Sequence, residues 1–230
     1  MNDPQIPANP APTFTDRSGV TDAVRAQILA TEHWSLLGTR SMTWNEIFSR
    51  ASMFITVLSA AVVALALVAQ ATAFGPAFRL FALLVLPIVL LVGVATVIRL
   101  SDANTEDLGM VAGMNRIRHA YLELAPELVP YFTTAHHDDE TSIMQTYRLI
   151  HHFGLTGSRI LAGTPTLVGA INVVVVGVLA ALVADTVGAS DAVDIAVGVG
   201  AALLAAIAFA AFALGAITNA RRSYVARFPR

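Results

Sequence analysis

Four long runs without a charged residue dominate this 230-residue chain and constrain its fold more than any other feature. None of them contains Asp, Glu, Lys, Arg or His. As a helix rising 1.5 Å per residue, the first run would be about 31 Å long, which matches the hydrocarbon core of a bilayer. The sequence therefore predicts four transmembrane helices, or spans, at residues 53–73, 80–98, 160–184 and 195–217.

Composition supports membrane residence and removes several kinds of chemistry. The chain is 56% hydrophobic and 13% charged, against about 45–50% and about 25% in soluble domains. It has no cysteine and all 14 basic residues are arginine, which excludes disulfides, thiolate metal sites and Schiff-base lysines. The arginine bias indicates a GC-rich bacterial genome, and a net charge of −2 gives no reason to expect a nucleic-acid partner.

The arginines predict an orientation in the bilayer. With four spans, the segments before the first, between the second and third, and after the fourth lie on one side. All arginines except Arg79 fall in those segments. The positive-inside rule then places both termini and the central segment in the cytoplasm, with the chain in the cell (inner, plasma) membrane.

The predicted fold class is all-α: a four-helix transmembrane bundle of two hairpins, with cytoplasmic amphipathic helices before span one and between spans two and three. The first run begins too far along the chain for a cleavable signal peptide. The predicted segments are a disordered N-terminus (1–18), juxtamembrane helices (19–52), a first hairpin (53–98), a cytoplasmic helical segment (99–159), a second hairpin (160–217) and a basic tail (218–230).

Two helices are predicted before and into span one. A short helix begins at Thr21 and ends near Gly38. The following Thr43-Trp44-Asn45-Glu46 matches a capping box, in which the Thr43 hydroxyl accepts the Glu46 backbone N–H. A second helix is therefore expected to start at Thr43 and to continue into the membrane.

The central segment has a heptad-like helix over residues 102–128 that Pro126 interrupts. It is interpreted either as an amphipathic helix packed within the chain or as a coiled-coil seam between subunits. A further helix over residues 140–153 is predicted to end at Gly154. The residues at alternating steps of four and three are Met110, Met114, Ile117, Tyr121, Leu124 and Leu128.

A histidine-rich cluster is the most conspicuous polar motif. It joins Asp138, Asp139 and Glu140 with two histidine pairs, His136, His137, His151 and His152. Three interpretations stay open: charges that complement the ends of one helix, a pH-responsive cluster, and a metal site. The cluster lacks the spacing of known zinc motifs.

Inside the spans, the polar candidates are neutral. Asn172 near the middle of span three is predicted either to form an interhelical hydrogen bond or to line an oligomeric pore. Thr166, Thr56 and Ser59 are the other candidates, and Pro87 in span two is a possible hinge.

Small residues predict how the spans pack. Span four repeats Gly198, Ala202, Ala206 and Ala210 on one face, and span one has a similar supply of small residues. Span two is rich in Leu, Val and Phe. Spans one and four are therefore expected to pack inside the bundle or against another subunit, while span two faces lipid.

No enzymatic constellation and no cofactor motif is found in the sequence. The leading hypothesis is a non-enzymatic, homo-oligomeric membrane scaffold or sensor that acts on a cytoplasmic protein partner through its cytoplasmic helices. The alternative hypothesis is an oligomeric pore or ion channel with a hydrophobic gate.

Overall fold

The computed structural model describes residues 19–150 and 163–230, and within them the chain is all-helical, with no strand. Four of its helices are long and apolar enough to cross a membrane, as predicted. The elements are α1 (Asp22–Thr72), α2 (Pro76–Leu124), a 3₁₀ helix (Pro126–Tyr131), α3 (Glu140–Ile150), α4 (Thr164–Thr186) and α5 (Asp191–Ser223). The predictions for residues 1–18, for His151 and His152, and for the start of span three lie outside the described residues.

Helix α1 is one continuous helix of 51 residues, so the predicted break after Gly38 and the new start at Thr43 are wrong. Thr43 is 8% exposed in the helix interior, and an N-cap residue would instead need a non-helical backbone. The side chain of Glu46 pairs with Arg50 and Arg99 rather than with the backbone at Thr43. Gly38 does not end the helix, because a helical glycine costs only about 1 kcal/mol.

Helix α2 is likewise continuous from Pro76, through Pro87, to Leu124. The predicted cytoplasmic helix is therefore the second half of the helix that begins as span two. It ends just before Pro126, as expected for a residue that cannot donate a backbone hydrogen bond.

The described chain forms two compact units, which we call the polar unit (residues 19–42, 106–150 and 222–230) and the apolar unit (residues 43–105 and 163–221). In the apolar unit, Phe54 of α1, Val89 of α2 and Val168 of α4 are at most 1% exposed and belong to one hydrophobic core. In the polar unit, Val111, Met114 and Ile143 form a separate small core.

Span two does not simply face lipid, and this prediction needs correction. One face is buried, with Leu86 and Val89 at most 8% exposed, while Ile88 and Leu91 are at least 60% exposed. A third of its most apolar window is buried, against 6% for the helix that contains span four. The small residues Ala82 and Gly93 lie on this buried face and let neighbouring side chains approach the helix closely.

Glycines allow two close helix contacts in the apolar unit. A Cβ atom built on Gly93 of α2 would lie 1.9 Å from Oδ1 of Asn172 on α4, so only glycine fits without movement. Gly177 of α4 and Gly198 of α5 face each other, and a Cβ on Gly198 would lie 2.9 Å from the Gly177 carbonyl oxygen. The small-residue face of span four thus packs on α4 near Gly198, whereas Ala210 is exposed.

Two groups of ion pairs lie far apart along α2 in the apolar unit. Arg79 Nε lies 2.7 Å from Asp185 Oδ2, which joins the first turn of α2 to the end of α4. Arg99 Nη2 lies 2.8 Å from Glu46 Oε2, which joins α2 to α1. Twenty residues of helix separate Arg79 from Arg99, or about 30 Å, which is the thickness of a hydrocarbon core.

Candidate functional site

The polar unit holds a buried carboxylate, Asp107 of α2, between a guanidinium and a phenol. Arg40 Nε of α1 donates to Asp107 Oδ1 at 2.6 Å, and Tyr147 Oη of α3 donates to Asp107 Oδ2. Burial and the hydrogen bond to this carboxylate raise the pKa of Tyr147. Burial opposes the charge on Arg40, but the bond to Asp107 outweighs it and raises the pKa of Arg40. The three groups tie three helices together as a charge-compensated cluster.

A second buried carboxylate, Asp138, is the most fully bonded group in the unit at 0% exposure. It accepts from Arg116 Nε at 2.6 Å and from the backbone N–H groups of Arg227 and Phe228 at 2.9 and 2.8 Å. Burial opposes its ionisation, but these donors outweigh burial and hold the pKa of Asp138 below its usual range. The segment 222–230 is therefore bound through its backbone to a buried charge.

A buried amide, Asn115 of α2, fixes the segment that precedes α3. Its Nδ2 donates to the His137 carbonyl oxygen at 2.9 Å, while its Oδ1 accepts from Arg118 at 2.8 Å and from Thr146 at 3.2 Å. One hydrogen bond from α2 thus holds the backbone of His137 in place.

Three histidines and one phenylalanine stack beside Asp138. The rings of His136 and His137 are 4.5 Å apart between centroids, and the His119 ring of α2 lies 5.4 Å from His137. Phe228 covers His119 at 4.6 Å, and its carbonyl oxygen lies 3.2 Å from His137 Nδ1. Burial and the nearby charges of His137, His119 and Arg230 lower the pKa of His136. The cluster therefore resists taking up further positive charge.

A cavity of about 280 Å³ opens beside this stack. Its apolar wall is formed by Val129, Phe132 and Ala135. Its polar lining contains residues with hydroxyl, imidazole, amide and guanidinium side chains: Thr133, Thr134, His136, His137, Gln145 and Arg230. Arg230 donates to Gln145 Oε1, which holds the guanidinium at the rim.

The structure brings together only part of the predicted histidine cluster. His136 and His137 are adjacent, and their third partner is His119, which the sequence analysis missed. Among the described residues, no group of three His, Cys, Asp or Glu side chains could hold a metal ion. Asp139 caps α3 by accepting from Ser142 N and Oγ, as expected for an acidic helix start. Asp138 instead faces Arg116 and the C-terminal segment.

The predicted polar residues of the spans are not gathered into one lining. Asn172 is 7% exposed, and neither Nδ2 nor Oδ1 has a hydrogen-bond partner among residues 19–150 and 163–230. The predicted interhelical hydrogen bond is thus not formed; the amide packs against Gly93. Thr56 is exposed and donates to the Ser52 carbonyl oxygen, Ser59 is exposed, and Thr166 is half-buried. Pro87 lies within an unbroken α2.

The sequence did not identify Arg40, Asp107 and Arg116 as charged residues that hold the structure together. A signal for one of them was available. Asp107 lies three residues before Met110, so it lies on the same buried face of the helix. A charged residue on a buried face indicates a buried ion pair, but only the tertiary structure identifies the partner.

Fold and composition together define a class: an all-helical chain with four helices compatible with a multi-pass membrane protein, joined to a helical unit built around buried ion pairs. Comparison with protein-family models, with curated proteins and with solved structures found no match.

Proposed function

We propose that the protein is a non-enzymatic scaffold or sensor of the plasma membrane that binds a protein partner through its polar unit. The observation that carries this proposal is a set of large apolar side chains that α1 leaves exposed. In the polar unit, this helix exposes five large apolar side chains, which we call the α1 surface: Val24, Ile28, Trp34, Leu37 and Met42.

Two of these residues are unusually exposed for their size. Trp34 is 74% exposed and Met42 is 73% exposed. The opposite side of the helix already packs inside the unit, as Leu36 contributes to its core and Arg40 pairs with Asp107. Tryptophan and methionine are enriched in protein interfaces, and tryptophan is a frequent hot spot. The α1 surface therefore suits a protein partner, which is either another protein or a second copy of this chain.

The proposed topology has two transmembrane hairpins, with the polar unit in the cytoplasm. The Arg79–Asp185 pair supports it, because it joins the first turn of α2 to the end of α4, close to the two short connections between spans. The Glu46–Arg99 pair joins α1 to α2 about 30 Å further along α2. The arginine distribution of the sequence then assigns the polar unit to the cytoplasm.

The lack of natural cysteine makes this topology directly testable. Single-cysteine variants Ser41→Cys and Ala189→Cys would be treated with a membrane-impermeant maleimide on intact cells. We expect labelling of Ala189→Cys on intact cells and of Ser41→Cys only after permeabilisation. The reverse pattern would contradict the orientation, and labelling of both would contradict the four-span topology.

Partner binding is tested by photo-crosslinking of the whole protein in its native membrane. A photoreactive residue at Met42 should give a discrete adduct, whose mass distinguishes a second copy from another protein. Trp34→Ala should reduce the adduct about tenfold or more, because a hot-spot aromatic contributes at least about 2 kcal/mol. Glu32→Ala, an exposed polar position on the same helix, is the matched control and should leave the adduct unchanged.

Two results would overturn the proposal. The first is the absence of any Met42 adduct, or an adduct that Trp34→Ala and Glu32→Ala reduce equally. The second is ion flux through reconstituted protein in liposomes that Asn172→Leu changes, which would favour the pore.

A further inference from the structure

The lining of the cavity in the polar unit is rich in hydrogen-bond donors. The cavity is lined by groups that donate hydrogen bonds or carry positive charge, and none of its lining residues is acidic. Arg230, His136 and His137 contribute the basic groups, and Thr133 and Thr134 contribute hydroxyls at the same rim. Donors of this kind recognise the oxygen atoms of an anion.

The acidic side chains near the cavity are engaged by other groups, and none of them lines it. Asp138 is already occupied by Arg116 and two backbone N–H groups. Asp139 caps α3. Despite burial, hydrogen bonds from Ser142 and the charge of Arg230 lower the pKa of Asp139. The carboxylate of Glu123 on α2 lies 3.7 Å from Nε2 of His119. Burial, and then the charges of His137, His119 and Arg230, lower the pKa of His136.

We propose that this cavity is a binding site for a phosphate group, held by Arg230, His136 and His137 with the hydroxyls of Thr133 and Thr134. The volume of about 280 Å³ suits a small ligand or a headgroup rather than a large cofactor. The phosphate belongs either to a soluble anion or to the headgroup of an anionic lipid, which offer the same oxygen atoms. This inference gives the proposed sensor a class of ligand. The physiological meaning of the site rests on the proposed function, whereas binding at the site does not.

Phosphate binding would act on the segment 222–230. Arg230 at the cavity rim and Phe228 over His119 belong to the segment that Asp138 binds. An anion between Arg230 and the two histidines adds a bond between this segment and the loop before α3. The segment should therefore become more protected when the site is filled.

The experiment titrates the whole protein, in nanodiscs of zwitterionic lipid, with inorganic phosphate and follows heat and the histidine ring resonances. We expect saturable binding that Arg230→Gln and His136→Gln each weaken about tenfold or more, since each removes a charge-assisted hydrogen bond. Arg222→Gln and His33→Gln are matched controls, because neither residue lines the cavity, and they should bind as the unmodified protein does.

Two further arms identify the source of the phosphate group and test competition by a second anion. Nanodiscs that contain phosphatidic acid should reduce the affinity for free phosphate if the lipid headgroup fills the site, and leave it unchanged if the soluble anion does. Inorganic sulfate, which carries two negative charges on the same kind of oxygen atoms, should compete with phosphate for the site.

Three outcomes would overturn the site. One is no saturable phosphate binding combined with no effect of phosphatidic acid on the histidine resonances. Another is binding that the Arg222→Gln and Arg230→Gln variants weaken equally, which indicates a general charge effect. A third is binding of Zn²⁺ that His136→Gln abolishes while phosphate does not bind. None of these measurements involves the α1 surface. A negative result here would therefore refute the phosphate site and would not affect the crosslinking test of the proposed function.

Discussion

The two units of this chain differ in how their buried carboxylates and amides are bonded. In the polar unit, Asp107 and Asp138 are almost fully buried, and each accepts hydrogen bonds from an arginine and from further donors. In the apolar unit, the amide of Asn172 is buried and has no hydrogen-bond partner in the part of the chain that the structure describes. Its surroundings are the glycine backbone of Gly93 and the ring of Phe54.

The difference shows what specifies each unit. The polar unit has a small apolar core, so directional bonds from Arg40 and Arg116 select which segments meet. The apolar unit has no ionised group inside its spans, so close contact at glycines and small residues selects the helix pairs. Mutations should therefore act through charge in one unit and through volume in the other.

The largest expected effect is in the polar unit at Asp138. Asp138→Asn removes the charge that compensates Arg116, and breaking a buried ion pair costs about 3–5 kcal/mol. The backbone amides of Arg227 and Phe228 donate to this carboxylate, so their hydrogen exchange should accelerate about a hundredfold or more. Asp139→Asn is the matched control, because asparagine caps a helix as well as aspartate does. Equal effects of the two variants would show that Asp138 is not the organising charge.

The next largest effect tests volume in the apolar unit. Gly93→Ala places a Cβ against Asn172 Oδ1 and within 2.8 Å of Phe54 Cε2, and such overpacking costs about 1–3 kcal/mol. Gly109→Ala on the same helix meets nothing within 4 Å and should instead stabilise by about 0.5–1 kcal/mol. Thermal unfolding in detergent measures both variants. Adding Asn172→Ala should recover part of the loss, and additive effects would contradict the contact.

A smaller effect, of the opposite sign to that at Asp138, is expected at Asn172. An amide without a partner gains nothing from its polarity, so Asn172→Leu should be neutral or stabilise by about 1 kcal/mol. The same thermal measurement in detergent tests this variant. A loss above about 2 kcal/mol would instead indicate a partner for the amide in an oligomer, and would favour the pore hypothesis.

The sequence predicted the features that depend on composition over long windows. Four apolar helices follow from four runs that no ionised residue interrupts. The end of α2 at Leu124 follows from Pro126, and the cap of α3 follows from Asp139. These signals are local, so they survive without knowledge of the tertiary structure. The burial of Met110, Met114 and Ile117 within the chain likewise agrees with an amphipathic helix packed on its own neighbours.

The features that the sequence did not predict depend on contacts between residues that are far apart in the sequence. Thr43 and Glu46 carry a capping signature, yet the helix continues because Thr43 stays on the buried face and Glu46 finds Arg99, 53 residues away. Arg116 and Asp138 are separated by 22 residues, and Phe228 is 90 residues from Asp138. Spacing within one helix cannot indicate such partners, so the cavity and its histidine stack could not be predicted.

The smallest expected effect concerns pH and again separates the two units. The folded polar unit lowers the pKa of His136 by burial and by the charges of His137, His119 and Arg230, and it lowers that of His33 by burial and the charge of Arg118. A lowered imidazole pKa means that the unfolded chain binds more protons, so stability is fully present above about pH 6.5 and falls as the pH drops below it.

Exchange protection of the Phe228 amide should therefore decrease on acidification from about pH 7 to about pH 5, after correction for the intrinsic exchange rate. The double variant His33→Gln with His136→Gln should flatten this dependence. Asp138 and Asp139, whose pKa values are also lowered, lose their contributions only below about pH 4, because their unfolded values lie there. The spans contain no group that titrates, so amides of α4 should show no corresponding change. A parallel loss of protection in α4 would contradict the separation of charge and volume between the two units.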